Sequence, residues 1–470
     1  MRREGADRVT PVKILVIGTG GREHGILEAL RRTDPSAHDT AAGSTAPVDP
    51  RPLELFAAPG NPGMAQLAEC RAVDPASPAA VVALAQELGA ELVVVGPEAP
   101  LVAGVADALR DAGVPTLGPD QAAARLEGSK AFAKEVMAAA QVPTAQARTC
   151  TDEAAVTEAL DTFATSGAGT PVPWVVKADG LAGGKGVVVT TDRAEAEQHA
   201  RDCIAKEGQV VIEEYLDGPE ASVFCLLDGT TARALPAAQD FKRAGDGDLG
   251  PNTGGMGAYS PLPWAPEGLE DEVVCTVAQP VADEMARRGT PFVGVLYVGL
   301  ALTAAGPRVI EFNVRFGDPD SQAVLARLDS PLAPLLLATA TGTLADAAEP
   351  TFGEQPACVV VLAADGYPAS PVTGGAITGI AEAEARGAVV LHAGTRTEDA
   401  SGDLASGAGT TNRSPRLVAA GGRVLDVVAR GADLAHARQN VYAALSLIDL
   451  PGGWARTDIA ADAAAGRIVL

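Results

Sequence analysis

Apolar residues gather into short runs, each closed by a glycine turn and followed by residues at helical spacing. The first run is Lys13–Ile17 (KILVI), followed by Gly18-Thr19-Gly20-Gly21 and a helical stretch from about Arg22. Further strands are expected at Leu53–Ala57 and Glu91–Val95, with an alanine-rich helix over Pro78–Leu88 between them. Strands alternating with helices predict a parallel, doubly wound sheet. Between the first helix and the second strand, Asp34–Pro52 is rich in Pro, Ala, Thr and Ser, lacks periodicity, and reads as a surface insertion.

The pattern changes near Ser129. Helices are expected over Lys130–Ala140 and, behind an Asp cap, over Asp152–Phe163. Strand signals follow at Trp174–Ala178, Val187–Thr190, Gln209–Glu214, Ser222–Leu227, Val293–Leu302 and Arg308–Val314, and largely antiparallel sheets are expected. From about Ala348 come strands near Cys358–Ala363 and Arg423–Ala429, a helix over Asp433–Leu445, and a second insertion over Gly402–Pro415. No repeat of fixed period is present. The fold class is therefore a multidomain α/β and α+β chain. A loose tail over 1–12 precedes an N-terminal doubly wound domain over 13–121, a central domain over 122–347 and a small C-terminal α+β domain over 348–470.

Composition narrows the function. With 47% hydrophobic and 20% charged residues the chain is not disordered, and its 470 residues suffice for several cores. A net charge of −24 argues against nonspecific nucleic-acid binding and against attraction to an anionic membrane. An anionic ligand must therefore meet a local basic site. No apolar run approaches the length of a membrane span, and the charged start has no signal-peptide core, so a cytoplasmic location is expected. The six cysteines are scattered singly, without metal-ligand spacing.

The stretch from Val175 to Val189 reads as strand, flexible loop and strand, with Lys177 in the first strand and Gly183, Gly184 and Lys185 near the loop tip. Glycines let backbone N–H groups approach phosphate oxygens, and lysines supply compact positive charge, so the segment suits a triphosphate lid. A plain hairpin with a glycine turn would explain the glycines but not the two lysines. Val210–Leu216 is an apolar strand ending in Glu213 and Glu214, acids that could accept from an adenine amino group or hold ribose hydroxyls, although acids after a strand are commonly just solvated.

In Val309–Arg315 the alternation places Glu311, Asn313 and Arg315 on one face of a strand. A carboxylate and an amide oxygen two residues apart can share a hard cation such as Mg²⁺, while a strand with one solvent face gives the same alternation. Gly250–Pro261 is too glycine-rich for a strand or helix and suits a small polar substrate, or else is a mobile loop. Just before it, Gln239–Arg243 sets acid beside base. The first glycine turn is not a dinucleotide fingerprint, because Glu23 stands at its sixth position. A helix N-terminus at Gly20-Gly21-Arg22 can still hold one phosphate, with Arg22 adding a charged contact. His24 is a candidate catalyst or a capping or packing residue.

Together these motifs resemble the ATP-grasp ligases, and within them the phosphoribosylamine–glycine ligase family of purine biosynthesis. The resemblance runs from Lys13 into the C-terminal region through GTGGREH (Gly18–His24), APGN (Ala58–Asn61), VGPEAPL (Val95–Leu101), LEGSKAF (Leu126–Phe132), the lid, PNTGGMGAYSP (Pro251–Pro261) and EFNVRFGDP (Glu311–Pro319). It implies a central ATP-grasp domain with a mobile lid subdomain over about 143–212. It also implies a carbon–nitrogen ligase in which glycine's carboxylate attacks the γ-phosphate of ATP, and the amine of 5-phosphoribosylamine then displaces phosphate from glycyl phosphate. Such a transfer needs positioning and charge neutralisation more than a protein nucleophile.

Carried over by residue, the resemblance implies that Lys130, Lys177, Gly183, Gly184 and Lys185 meet the ATP phosphates, and Glu213, Glu214, Leu216 and Glu220 the adenosine. Glu311 and Asn313 would hold Mg²⁺ or Mn²⁺. Arg315, Lys185 and Asp240 would carry the catalytic roles, with Asn252, Thr253, Gly254, Gly255, Met256, Gly317 and Asp318 around glycine. Gly20, Gly21, Arg22, Glu23, Pro97 and Glu98 would frame phosphoribosylamine. A monomer acting on three small substrates is expected. Two departures stand out: Asp320 replaces the family's Glu, and Gly183 its Ala. A formate-dependent transformylase, a biotin carboxylase or a nonenzymatic nucleotide-binding regulator are the alternatives. The PNTGGMGAYSP loop argues against the first two, and the presence of Glu311, Asn313 and Arg315 against the third.

Overall fold

The computed structural model describes residues 10–36, 51–165, 169, 171–181, 186–398 and 415–470. Residues 1–9 of the tail, most of both insertions and the lid tip with Gly183, Gly184 and Lys185 lie outside them.

The first sheet is parallel. Its strands are β1 (Val12–Gly18), β2 (Leu53–Pro59), β3 (Glu69–Cys70), β4 (Leu92–Val95) and β5 (Thr116–Leu117), in the order β3-β2-β1-β4-β5. The burial of β1 on both faces explains its unbroken apolar run. The chain leaves β1 toward β2 and later returns to its other side as β4, so the ends of β1 and β4 flank a topological switch point, where open α/β sheets place their ligands. Helix α1 (Gly21–Arg32) starts there behind β1, and α3 (Glu98–Val102) behind β4; α2 (Pro78–Leu88) and α4 (Val105–Asp111) complete the layers.

Helices α5 (Gln121–Gly128) and α6 (Lys130–Ala139) lead into the central region, with Ser129 capping α6 by accepting from Phe132 N at 3.1 Å. One antiparallel sheet there has the order β6 (Ala147–Cys150), β9 (Val210–Glu213), β7 (Trp174–Ala178), β8 (Val187–Thr190), backed by α7 (Glu153–Thr162) and α8 (Arg193–Glu207). A second runs β11 (Ala232–Ala234), β10 (Glu220–Asp228), β16 (Val293–Thr303), β17 (Gly306–Asn313), also antiparallel. Asp179, at the end of β7, ties the first of these sheets to α6. Its carboxylate accepts from Ser129 Oγ, Ala131 N and Gln209 Nε2.

The glycine-rich segment corrects the sequence expectation. It is not free of regular structure: β13 (Arg243–Gly245) pairs with β14 (Leu249–Asn252), and β12 (Gln239–Asp240) pairs with β15 (Gly257–Ser260). β15 is fully buried and continues the C-terminal sheet in the order β12-β15-β18-β22-β19, where β18 is Ala357–Ala363, β19 Val389–His392 and β22 Arg423–Arg430. The reason is close approach: a Cβ at Gly257 would stand 2.6 Å from Val359 O, so glycine is what lets this strand lie there. β20 (Thr395–Glu398) and β21 (Arg416–Ala419) form a hairpin on either side of the second insertion.

Candidate active site

A cavity of about 650 Å³ opens where the first sheet, the two antiparallel sheets and the C-terminal sheet meet. Its N-terminal wall begins at the β1–α1 turn. Glu23 is buried and folds back, accepting from Gly20 N at 2.7 Å and from Arg22 Nε at 2.6 Å. Gly18 and Gly96 make room for it, since a Cβ at either position would collide with the Glu23 carboxylate. Gly20 N is thus already engaged by a side chain, and of this turn Arg22 alone reaches the cavity, beside Pro97 and Glu98. His24 faces the other way: its Nδ1 accepts from His392 N at 2.7 Å. Burial first, and then His392, pushes it down to about 3, so it is a neutral packing residue.

The opposite wall follows β17. This strand ends at Asn313, so Arg315 lies beyond it and is not strictly on the strand face expected from the alternation; Glu311, Asn313 and Arg315 nevertheless all line the cavity. Arg315 donates from Nε to Glu98 at 3.3 Å, from Nη2 to Glu127 at 3.0 Å and from Nη1 to the Phe316 carbonyl at 3.2 Å. Burial opposes its charge, but Glu127, Glu98 and Asp318 outweigh burial and raise it further. Glu127 also accepts from Val314 N at 2.8 Å, which fixes the turn.

The lysines stand on the third side. Lys130 Nζ donates to the Gly180 carbonyl at 3.3 Å, and Lys177 Nζ to the Ile310 carbonyl at 2.9 Å. Glu213, buried at the end of β9, pairs with Lys177 at 2.9 Å and with Lys134 at 3.2 Å. Burial chiefly, against the pull of Glu213, brings Lys134 down to about 8. Glu311 is held below the usual carboxylate range: burial resists ionisation, but Lys242, Lys177 and Lys130 prevail. Asp240 is pushed well up by burial; Lys242 opposes, while Asp320, Glu220 and Glu311 reinforce.

Comparison with known proteins covers nearly the whole chain. The phosphoribosylglycinamide synthetase N domain matches residues 12–127, the ATP-grasp (A) domain residues 128–321 and the C domain residues 357–462. The chain belongs to the phosphoribosylglycinamide synthetase family. A phosphoribosylamine–glycine ligase of Streptomyces coelicolor is 55% identical over 456 residues, covering 96% of this chain and 100% of that relative. Among solved structures, a phosphoribosylamine–glycine ligase from Thermotoga maritima superposes with a TM-score of 0.76 at 27% identity, covering 95% of this chain and 100% of that one. A biotin carboxylase from Campylobacter jejuni, at 15% identity, TM-score 0.63 and coverage of 95% and 93%, shares the fold alone.

Against this synthetase family the residues expected from sequence divide clearly. Arg22, Pro97, Glu98, Lys130, Lys177, Glu213, Asp240, Thr253, Gly254, Glu311, Asn313, Arg315, Gly317 and Asp318 converge on the cavity. Gly20, Gly21, Glu23, Glu214, Leu216, Glu220, Asn252, Gly255 and Met256 do not line it. Glu214 instead accepts from Arg308 at 2.7 Å, and Glu220 from Lys242 at 2.9 Å. Met256 is wholly buried, and Thr253 spends its hydroxyl on the Lys242 carbonyl at 2.9 Å. Asp320 lines the cavity and accepts from Ser222 Oγ at 3.1 Å.

Four charged residues of the site were missed: Glu127, Lys134, Lys242 and Arg423. Lys134 carried a signal, one helical turn beyond Lys130. Lys242 stood beside Asp240. Glu127 lay inside the LEGSKAF motif without a role assigned to it, and Arg423 carried no signal; only the tertiary fold brings them to Arg315 and Asp318.

Among the described residues no cluster of three or more His, Cys, Asp or Glu could cage a metal. Glu311 and Asn313 offer an ionised carboxylate and an amide oxygen into the cavity, and no hydrogen bond or ion pair among the described residues engages either side chain. Two hard oxygen ligands with the remainder left to phosphates and water fit Mg²⁺ or Mn²⁺.

Proposed function

We propose that this chain joins glycine to 5-phosphoribosylamine at the expense of ATP, giving glycinamide ribonucleotide, ADP and phosphate. A glycine carboxylate oxygen attacks the γ-phosphorus and ADP departs; the amine nitrogen then attacks the acyl carbon, phosphate leaves, and the nitrogen gives up a proton. The observation that carries this reading is one cavity in which Lys130 and Lys177 face Glu311 and Arg315, within a chain of this family.

In this reading the hairpin over 174–190 is the lid, and Lys130, Lys177 and Lys185 neutralise the phosphates while Glu213 meets the base. Glu311 and Asn313 hold Mg²⁺ or Mn²⁺, which supplies charge neutralisation at the transferring phosphoryl group. Arg315 is fixed by two carboxylates and a carbonyl, so it presents its charge to glycine's carboxylate or the acyl phosphate without reorganising. Arg22, Pro97 and Glu98 frame the phosphoribosylamine side, and Asp240, Thr253, Gly254, Gly317 and Asp318 the glycine side. No protein nucleophile is required.

The test is ADP release from MgATP with glycine and freshly generated phosphoribosylamine, each omitted in turn. ADP formation that needs both, with glycinamide ribonucleotide as product, supports the reading. Turnover with formate or bicarbonate in place of glycine overturns it.

A further inference from the structure

Arg423, the first residue of β22, reaches the cavity from the C-terminal sheet. Its Nη1 donates to three carbonyls, Gly254 O and Asp318 O at 2.7 Å and Gly255 O at 3.4 Å. Its Nη2 donates to Asp318 Oδ2 at 2.9 Å. One guanidinium therefore joins the glycine-rich segment, the turn after β17 and the C-terminal sheet. The other carboxylate oxygen of Asp318 accepts from Gln322 Nε2 at 2.8 Å, and the same amide nitrogen donates to Asp426 Oδ2 at 3.0 Å. Both oxygens of Asp318 are fixed, and the carboxylate borders the cavity near Arg315 and Gly254.

Arg423 is poorly placed to take a substrate anion, since both its terminal nitrogens are already engaged. A planar fork that spends its charge on one carboxylate and three carbonyls orients what it touches. What it orients is an acid, and the reaction proposed above brings two amino groups into this cavity. We propose that Arg423 is a positioning residue acting through Asp318, holding that carboxylate as the acceptor for the amino group of a substrate. This rests on the ligase reading. The amino group is glycine's, on whose side of the cavity that reading sets Asp318, and a rise in KM for phosphoribosylamine alone would overturn this.

The electrostatics run the same way. Burial resists ionisation of Asp318, but Arg423, then Arg22, the Gln322 hydrogen bond and Arg315 hold it below the usual carboxylate range. Two neighbouring acids work against these: Asp426 of β22, raised to about 7 by burial and then by Asp318, and Asp320 just beyond the turn. Without Arg423, Asp318 would face Arg22 and Arg315 on one side and these two acids on the other, and it would protonate at higher pH.

The experiment compares Arg423→Gln, Asp318→Asn and the double variant. Activity is measured with glycine, phosphoribosylamine and ATP varied separately, and thermal unfolding is followed alongside. Each single change is expected to raise KM for glycine by roughly thirtyfold, as expected for breaking a buried, hydrogen-bonded charge pair. KM for ATP should move less than about twofold. The double variant should be no worse than the weaker single variant, the signature of two residues acting as one. In Arg423→Gln the acid limb of kcat/KM for glycine should shift to higher pH, which a merely structural role would not produce.

Should Arg423→Gln not fold, Arg423→Lys serves instead, expected to keep one donor to Asp318 and to fall between wild type and Asp318→Asn. Additive losses, a parallel rise in KM for ATP, an unmoved acid limb or a Lys variant equal to wild type overturns the proposal. Wild-type protein that releases no ADP with glycine and phosphoribosylamine would sink the ligase reading itself; active wild type with indifferent variants sinks only the role of Arg423.

Discussion

Arg22 and Arg315 donate to the same oxygen, the Phe316 carbonyl, each at 3.2 Å. One comes from the first helix of the parallel sheet and the other from the turn after β17. Two guanidiniums converge on one acceptor only because each has its own carboxylates: Glu23 for Arg22, and Glu98 with Glu127 for Arg315. Two guanidiniums are thus held side by side at the cavity, each already paired with acid.

Arg315→Ala is expected to lower kcat by about a hundredfold or more, the usual loss when a preorganised charge is removed from a transferring group. KM for ATP should change by less than about threefold. Steady-state kinetics with each substrate varied would show it, and wild-type turnover would remove the assigned role.

Lys134 should make ATP binding sensitive to alkali. Burial sets its ammonium near 8, so it is charged below that pH and loses its pairing with Glu213 above it. KM for ATP is expected to rise as pH passes upward through about 8, whereas Lys134→Gln should show a raised KM with no such inflection.

The His24–His392 contact should make the fold acid-sensitive. Both imidazoles sit below 6.5 in the folded chain, His24 near 3 and His392 near 4, chiefly through burial. Above 6.5 neither state binds the proton and the pair is neutral for stability. As pH falls below 6.5 the unfolded chain binds protons that the folded chain refuses, so stability drops, by up to about 2 kcal/mol per histidine near pH 5. Denaturant unfolding between pH 8 and pH 5 would measure this, and His24→Gln should flatten the slope.

Gly96→Ala should displace Glu23, because the new Cβ would collide with its carboxylate. That frees Gly20 N and Arg22 together. A loss of stability of about 1–3 kcal/mol is expected, along with a higher KM for phosphoribosylamine, while KM for ATP is spared.

Chelation should abolish turnover, with Mg²⁺ or Mn²⁺ restoring it. Glu311→Gln should raise the metal concentration needed for half-maximal activity by roughly tenfold or more, since one of the two ligands proposed above loses its charge. A variant with an unchanged metal requirement would count against Glu311.

What the sequence revealed followed from short-range physics. The run into β1, the glycine turn and α1 are legible because strand burial, turn chemistry and helical spacing act within a few residues. Lys177 and Glu311 are legible for the same reason, each set in a strand beside a recognisable loop. The strand character of Gly257–Ser260 was hidden, because Gly257 and the glycines just before it argue locally for a loop and only the neighbouring Val359 backbone makes Gly257 a strand residue. Glu127 and Arg423 were hidden because their meaning lies in partners far along the chain, Arg315 and Asp318. Glu220 stands outside the cavity lining but pairs with Lys242, which is part of it, a link that the spacing of residues along the chain does not reveal.

β15 lies between β12 and β18, so a segment inserted between β11 and β16 of the second antiparallel sheet and a segment that follows that sheet are woven into one ladder. A truncated chain stopping short of Ala357 would strip β15 of its partner and leave an open, apolar edge, the kind that recruits other copies into aggregates. The C-terminal portion is thus no detachable appendage, and fragments for biophysical work are better made by cutting elsewhere.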